Sequence, residues 1–266
     1  MIEKAENEIC FVNNMLVMNS GEKHDSIGEL RQKFRHLLCM QQLRKSIVKE
    51  NMHNAMSPIS SISGYLELIN MALKEDANVH QIEQYRKRIE IGITEVNEIL
   101  QQLNKLYEEV QHEETEEEAL EVDLNWAVRD VCNQLDPSSL KIKYGLSQKP
   151  LYLKVALYTM KLIIYKLISY AMKCSSSKSS VRVETYEREG LVDLFISFNV
   201  SKHKADDIRK VLSCSNEKDE YEYTKQNPMN EGLLASRKLV DQIGGRLIFN
   251  HTNDTSGKLS LSLPTY

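Results

Sequence analysis

Two long runs of apolar residues at helical spacing constrain this chain most. In the first, Ile27, Leu30, Phe34, Leu37, Leu38, Leu43, Ile47, Val48, Met52, Met56, Ile59 and Ile62 recur mostly at three- and four-residue steps, continuing through Leu66, Ile69 and Leu73. The second comprises Ile82, Tyr85, Ile89, Ile93, Val96, Leu100, Leu103, Leu106 and Val110. Such periods put one apolar stripe along each of two helices. Only a short polar stretch, 75–80, separates them, so an antiparallel hairpin follows. A lone hairpin cannot bury stripes this strong. Pairing with a second copy gives a four-helix bundle, and a homodimer is expected ahead of residues 1–50 folding back.

Upstream, residues 1–18 also have a helical pattern, and 19–25 interrupt it, with Asp25 or Ser26 as the expected cap of the long helix. Residues 111–121 are dominated by glutamate and read as a solvated linker. The expected organisation is an N-terminal extension (1–25), a helical hairpin (26–112), an acidic linker (113–121) and a second domain (122–266).

Over 122–266 helix and strand patterns mix. A short helix over 122–131 takes Asp123 as its cap. Strands are predicted at 140–146, 181–186, 191–200, 246–251 and 259–263. Helices are predicted at 152–173, 204–213 and 231–243, the last ended by Gly244-Gly245. The fold class is α+β, multidomain: a long helical hairpin, then helices on one face of a mixed sheet.

A net charge of −4 argues against a nucleic-acid backbone as partner. Five scattered cysteines without a CxxC pair fit reduced thiols and a cytoplasmic setting. No signal peptide is evident, and Lys154, Lys161 and Lys166 interrupt the most apolar window, 151–172, so no membrane span is expected.

Within the first stripe stands His53-Asn-Ala-Met-Ser57-Pro58-Ile59. A proline in a helix interior costs about 3 kcal/mol, so its retention five residues after a histidine invites a functional reason. The segment resembles the phosphoacceptor box of bacterial sensor histidine kinases, roughly H-E-x-x-[TS]-P-[LI]. The second domain resembles the family's ATP-binding domain, the fold shared with gyrase and Hsp90-type ATPases. Leu233-Leu-Ala-Ser-Arg-Lys-Leu-Val-Asp-Gln-Ile-Gly-Gly-Arg-Leu247 carries that likeness, with 161–175 in the place of the N-box helix.

The nucleotide-binding part departs from the family. Lys166 and Tyr170 stand where two asparagines are normal. Val200 stands where an aspartate receives adenine. Met229-Asn-Glu231-Gly232-Leu-Leu234 replaces the glycine-rich phosphate loop, and Glu231 adds a charge that opposes anions. In the histidine box Asn54 replaces the acidic residue that assists attack on ATP, while Ser57 holds the place of a water-positioning Thr or Asn.

The resemblance therefore implies a degenerate transmitter, a pseudokinase of a two-component system. Its expected function is histidine phosphotransfer in a phosphorelay. His53, the phosphoacceptor, would relay phosphoryl between receiver-domain aspartates of response regulators, with no ATP, cofactor or metal of its own. A non-catalytic adaptor that binds a sensor histidine kinase or a response regulator, a receiver phosphatase using Ser57 or Asn54, and an active ATP-dependent kinase are the alternatives.

Overall fold

The computed structural model describes residues 23–74, 79–111, 120–175, 179–214, 216–227, 229–253 and 255–265. The chain divides into two compact units, one ending at Leu38 and one spanning Cys39–Tyr266. In the first unit the described residues are helical and leave Leu30, Phe34, Leu37 and Leu38 exposed.

Helix α1 spans Lys23–Lys74 and α2 spans Val79–Gln111. Asp25 and Ser26 lie inside α1 rather than capping it, a correction to the expected start. The helical pattern expected over 1–18, and most of the 19–25 interruption, fall outside the described residues. The two helices run antiparallel, as the stripes require: the Tyr65 and Tyr85 rings lie 5.9 Å apart. Further along, a Cβ at Gly92 would stand 2.8 Å from Ile62 Cγ1 and 3.4 Å from the Pro58 carbonyl oxygen. The missing side chain at Gly92 thus lets α2 close on α1 where the proline sits, and Pro58 is buried there within a continuous helix.

Asp123 caps α3 (Leu124–Leu135) as expected, its carboxylate accepting the Asn125 backbone N–H at 3.0 Å. Two short strands were not expected. β1 (Leu120–Asp123) pairs antiparallel with β3 (Tyr152–Val155), joining Val122 to Leu153. Leu120 and Glu121 therefore belong to a strand and not to the acidic linker, whose residues 112–119 lie outside the described set. Residues 152–155 alternate exposed and buried, a two-residue period, and α4 begins only at Leu157 and runs to Cys174.

The main sheet holds β2 (Ile142–Gly145), β4 (Val181–Arg188), β5 (Leu191–Asn199), β6 (Arg246–Asn253) and β7 (Ser256–Pro264) in the order β2-β4-β5-β7-β6. The β2–β4 pair is parallel and the others are antiparallel, so the sheet is mixed as predicted. Helices α5 (Lys202–Ser213) and α7 (Met229–Gln242) match the pattern, and α6 (Glu217–Gln226) is additional. Gly244, at φ 74°, takes the left-handed turn that ends α7, and Gly245 N–H donates to the Val240 carbonyl at 2.9 Å.

One core joins Val183, Leu194, Ile196, Leu259 and Leu261 of the sheet to Ile163, Ile164, Leu167 and Ile168 of α4 and Leu239 of α7. Cys39, Met40, Leu43 and Ile47 of α1 belong to this same core. The single stripe read along α1 is therefore two surfaces. Leu43 (0% exposed) and Ile47 (2%) pack into the second domain, while Met52 (61%) and Met56 (60%) remain exposed. Each such burial is worth about 1.5–3 kcal/mol relative to exposure.

Candidate functional site

Residues 39–51 of α1 lie along α4 in parallel. Thr159 Oγ1 donates to Met40 Sδ at 3.5 Å near the start of α4. The Arg44 guanidinium lies 4.8 Å from the Tyr158 ring centroid. Asn51 Nδ2 donates to the Tyr165 hydroxyl and to the Ile47 carbonyl, both at 3.2 Å. Burial pushes Tyr165 up to about 12, so its phenol stays protonated as a partner for Asn51.

At the centre lies Lys166, 0% exposed, in a helix otherwise apolar around it. Its Nζ stands 2.6 Å from Glu50 Oε2 and donates to Ser46 Oγ at 3.1 Å. Lys173 Nζ meets the other Glu50 oxygen at 3.0 Å. Burial acts to raise the Glu50 carboxyl, but Lys166 and Lys173 outweigh it and hold the group below the usual carboxylate range. Burial lowers Lys166, and Glu50 offsets part of that. A buried charge is retained only when paired and hydrogen-bonded, and here both conditions are met.

Gly232 closes this cluster from α7. A Cβ there would stand 2.3 Å from Lys166 Cε and 2.5 Å from Ser46 Oγ, so glycine is required by packing against a lysine and a serine. Of the residues read as the degenerate nucleotide site, Lys166 and Gly232 meet at this point. Glu231 lies in the first turn of α7 and acts electrostatically on Lys166. Tyr170 is buried, and its hydroxyl donates to Asn230 Oδ1 at 3.4 Å. Val200 is not in the Lys166 cluster: it is buried next to where a Cβ on Gly257 would fall, at 2.7 Å, and donates its N–H to Thr255.

His53, Asn54 and Ser57 are all exposed on α1, just past this contact. Ser57 stands one helical turn beyond His53. Asn54 turns to a cavity of about 250 Å³ that also takes in Gln102 of α2 and Lys173 of α4. The geometry presents an exposed imidazole on α1 one turn past the contact that Glu50 and Asn51 make with α4.

Ser46, Glu50, Asn51, Tyr165 and Lys173 were not among the residues picked from the sequence. One signal for them existed: a lysine inside Leu162-Ile-Ile-Tyr-Lys166-Leu-Ile168 demands an anion if the helix is buried.

No family model matches the sequence, and no curated protein matches it. Among solved structures, the chain is similar to a bacterial phosphotransferase, with a TM-score of 0.52 and 12% identity over 82% of this chain and 95% of that one. It also aligns with the histidine kinase AdeS of Acinetobacter baumannii (TM-score 0.41, 14% identity, 80% of this chain and 98% of that one). The catalytic domain of the histidine kinase ThkA aligns at TM-score 0.43 and 12% identity over 55% of this chain and 95% of that one. At such identities the likeness to the phosphotransferase is one of fold: a helical hairpin followed by an α+β domain.

Proposed function

We propose that this chain is a histidine phosphotransferase of a two-component phosphorelay, taking phosphoryl from one receiver-domain aspartate onto His53 and passing it to another. The observation that carries the reading is a contrast on one helix. Glu50 and Ser46 fill the Lys166–Gly232 region, to which the sequence resemblance assigns nucleotide phosphates, while His53 one turn later stays exposed. Phosphoryl must then come from outside the chain. The fold shared with a solved bacterial phosphotransferase agrees with that.

In the proposed step a neutral imidazole nitrogen of His53 attacks phosphorus of the acyl phosphate. An N–P bond forms, the P–O bond to the aspartate breaks, the carboxylate leaves, and the proton on the other ring nitrogen passes to solvent. Return to a second aspartate reverses each change. The platform's contribution is position, which a docked receiver converts into in-line geometry. The receiver would carry its own divalent cation, so this chain needs none.

The active unit in this reading is a homodimer. At about 100° per residue, Val48, Met52, Ile59 and Leu66 fall on the side of α1 roughly opposite Glu50, and all four are exposed in the single chain. That face is free for a second hairpin without disturbing the contact with the second domain, which is left to serve as a wall for partner selection.

The test is transfer of label from a panel of phosphorylated receiver domains to the full chain. Wild type takes up label, His53→Gln takes up none, and labelled ATP with Mg²⁺ labels neither. Labelling of His53 from ATP would favour the kinase reading. Equal receiver binding with no transfer would favour an adaptor that engages a response regulator or a sensor histidine kinase. Faster loss of receiver phosphate that depends on Ser57 or Asn54 would favour a phosphatase.

A further inference from the structure

We infer that the cavity beside Asn54 is a binding site for a small organic phosphate dianion, held chiefly by Lys141 and Lys173. The inference begins with charge. Glu50 is the carboxylate lining the cavity, and Lys166, wholly buried behind it, already balances that charge at 2.6 Å. Lys173 touches the same carboxylate at 3.0 Å but is a second cation on it. Lys141, exposed just before β2, lines the cavity and makes no ion pair with the described residues. Once Lys166 and Glu50 cancel, two ammonium groups face one space. The complementary ligand carries about two negative charges, the charge of a phosphomonoester near neutral pH.

Hydrogen-bonding groups support the same class. Around the two lysines stand the carboxamides of Asn54 and Gln102. Gln102 gives one Nε2 hydrogen to the Gln134 carbonyl at 3.0 Å and keeps the second for an anion oxygen. The Ser169 and Tyr165 hydroxyls already donate, to the Lys166 carbonyl and to Asn51 Oδ1, and shape the wall instead. Leu135, Met172 and Val181 supply an apolar side against which a short carbon skeleton can lie. The cavity of about 250 Å³ lies at the small end of the range of about 300–1,000 Å³ usual for drug-sized ligands, which suits a phosphorylated compound of a few carbons.

The position has a consequence. The site draws together α1, α2, the end of α3, the residue before β2, α4 and the start of β4. A dianion there ties the hairpin to the second domain and competes with Glu50 for Lys173. Asn54, in its wall, adjoins His53. The binding site itself stands independently of phosphotransfer by His53, because its test reads binding alone.

The experiment is thermal unfolding of the full chain, followed by calorimetric titration, with glycerol 3-phosphate and inorganic phosphate as probes. Glycerol and sodium chloride at matched ionic strength serve as controls. Glycerol 3-phosphate is expected to raise the melting temperature in a concentration-dependent way, as a ligand of the folded state must, while glycerol and chloride do not. Lys141→Ala, which breaks no ion pair among the described residues, is expected to weaken binding about tenfold or more, since it removes a charge-assisted contact. Lys87→Ala, an exposed lysine outside the cavity, leaves binding unchanged. The inference is overturned if wild type gains no stability from either phosphate, or if Lys141→Ala binds as tightly as wild type.

Discussion

Two stretches of the same helix meet opposite fates. Residues 39–51 of α1 bury Leu43, Ser46, Ile47 and Asn51 against α4 and α7, whereas Met52, His53, Met56 and Ile59 just beyond are exposed. Both carry the same apolar period, so the period alone does not separate them. What separates them is the chemistry between the apolar residues. The buried stretch interleaves Ser46, Glu50 and Asn51, each with a partner on α4, while the exposed stretch offers an imidazole, a carboxamide and a hydroxyl to solvent. Amphipathicity thus says that a face will be covered, and the polar residues on that face say by what.

The contrast can be broken at the ion pair, where the largest change in stability is expected. Glu50→Ala leaves Lys166 charged and unpartnered in the core and should cost about 3–5 kcal/mol in urea unfolding, and Lys166→Ala should cost a similar amount. The double variant Glu50→Ala with Lys166→Met should recover much of that loss, because no buried charge remains. A double variant as unstable as Glu50→Ala alone would refute the pairing.

Next in size is the packing around it. Leu43→Ala should destabilise by about 2–5 kcal/mol, through lost transfer energy and a cavity. Met52→Ala, nine residues on in the same stripe, should stay within about 0.5 kcal/mol in the monomer. Equal effects would erase the distinction between the two stretches.

A pH titration sharpens the electrostatics. The folded carboxyl of Glu50 lies below its ordinary value of 4.5, so the pair's contribution is complete above that pH. It is lost as pH falls through the lower, folded value. Urea unfolding of wild type should therefore weaken as pH drops below 4.5. Glu50→Gln should be weaker at neutral pH and should lack that part of the acid dependence. Parallel curves for the two proteins would exclude the role given to this carboxylate.

The smallest effect on monomer stability is expected on the exposed side. Met52→Glu with Ile59→Glu should leave unfolding of the single chain nearly unchanged, within about 0.5 kcal/mol. Sedimentation should nonetheless shift from dimer toward monomer, because the charges enter the face proposed for pairing. A dimer that persists would move the interface elsewhere.

Much of the architecture was legible in advance because local rules encode it. The two stripes gave the hairpin, Asp123 its cap, Gly244 the end of α7, and the alternation at 181–186 and 191–200 the central strands. The misses have physical causes. Strands β1 and β3 have four residues each, too short for a period to stand out, and Leu151 to Val155 merged with the apolar run of α4. Helix α6 is mostly polar and charged, so no stripe announced it. At the site, His53, Asn54 and Ser57 were marked by their spacing from Pro58. Glu50 and Ser46 carry no local signal, because their partner lies 116 and 120 positions away.

The amino-acid order by itself determined two long helices, a histidine near a helix proline, and an α+β second half. All of these follow from forces acting within a few turns or a few strand residues. The tertiary structure alone decided that Glu50 would lie between Lys166 and Lys173, that Ser46 would sit against Gly232, and that Lys141 would face the same cavity as Lys173. Desolvation forces that outcome. A lysine in an apolar helix must find an anion once the helix is buried, and which anion reaches it depends on how distant segments pack.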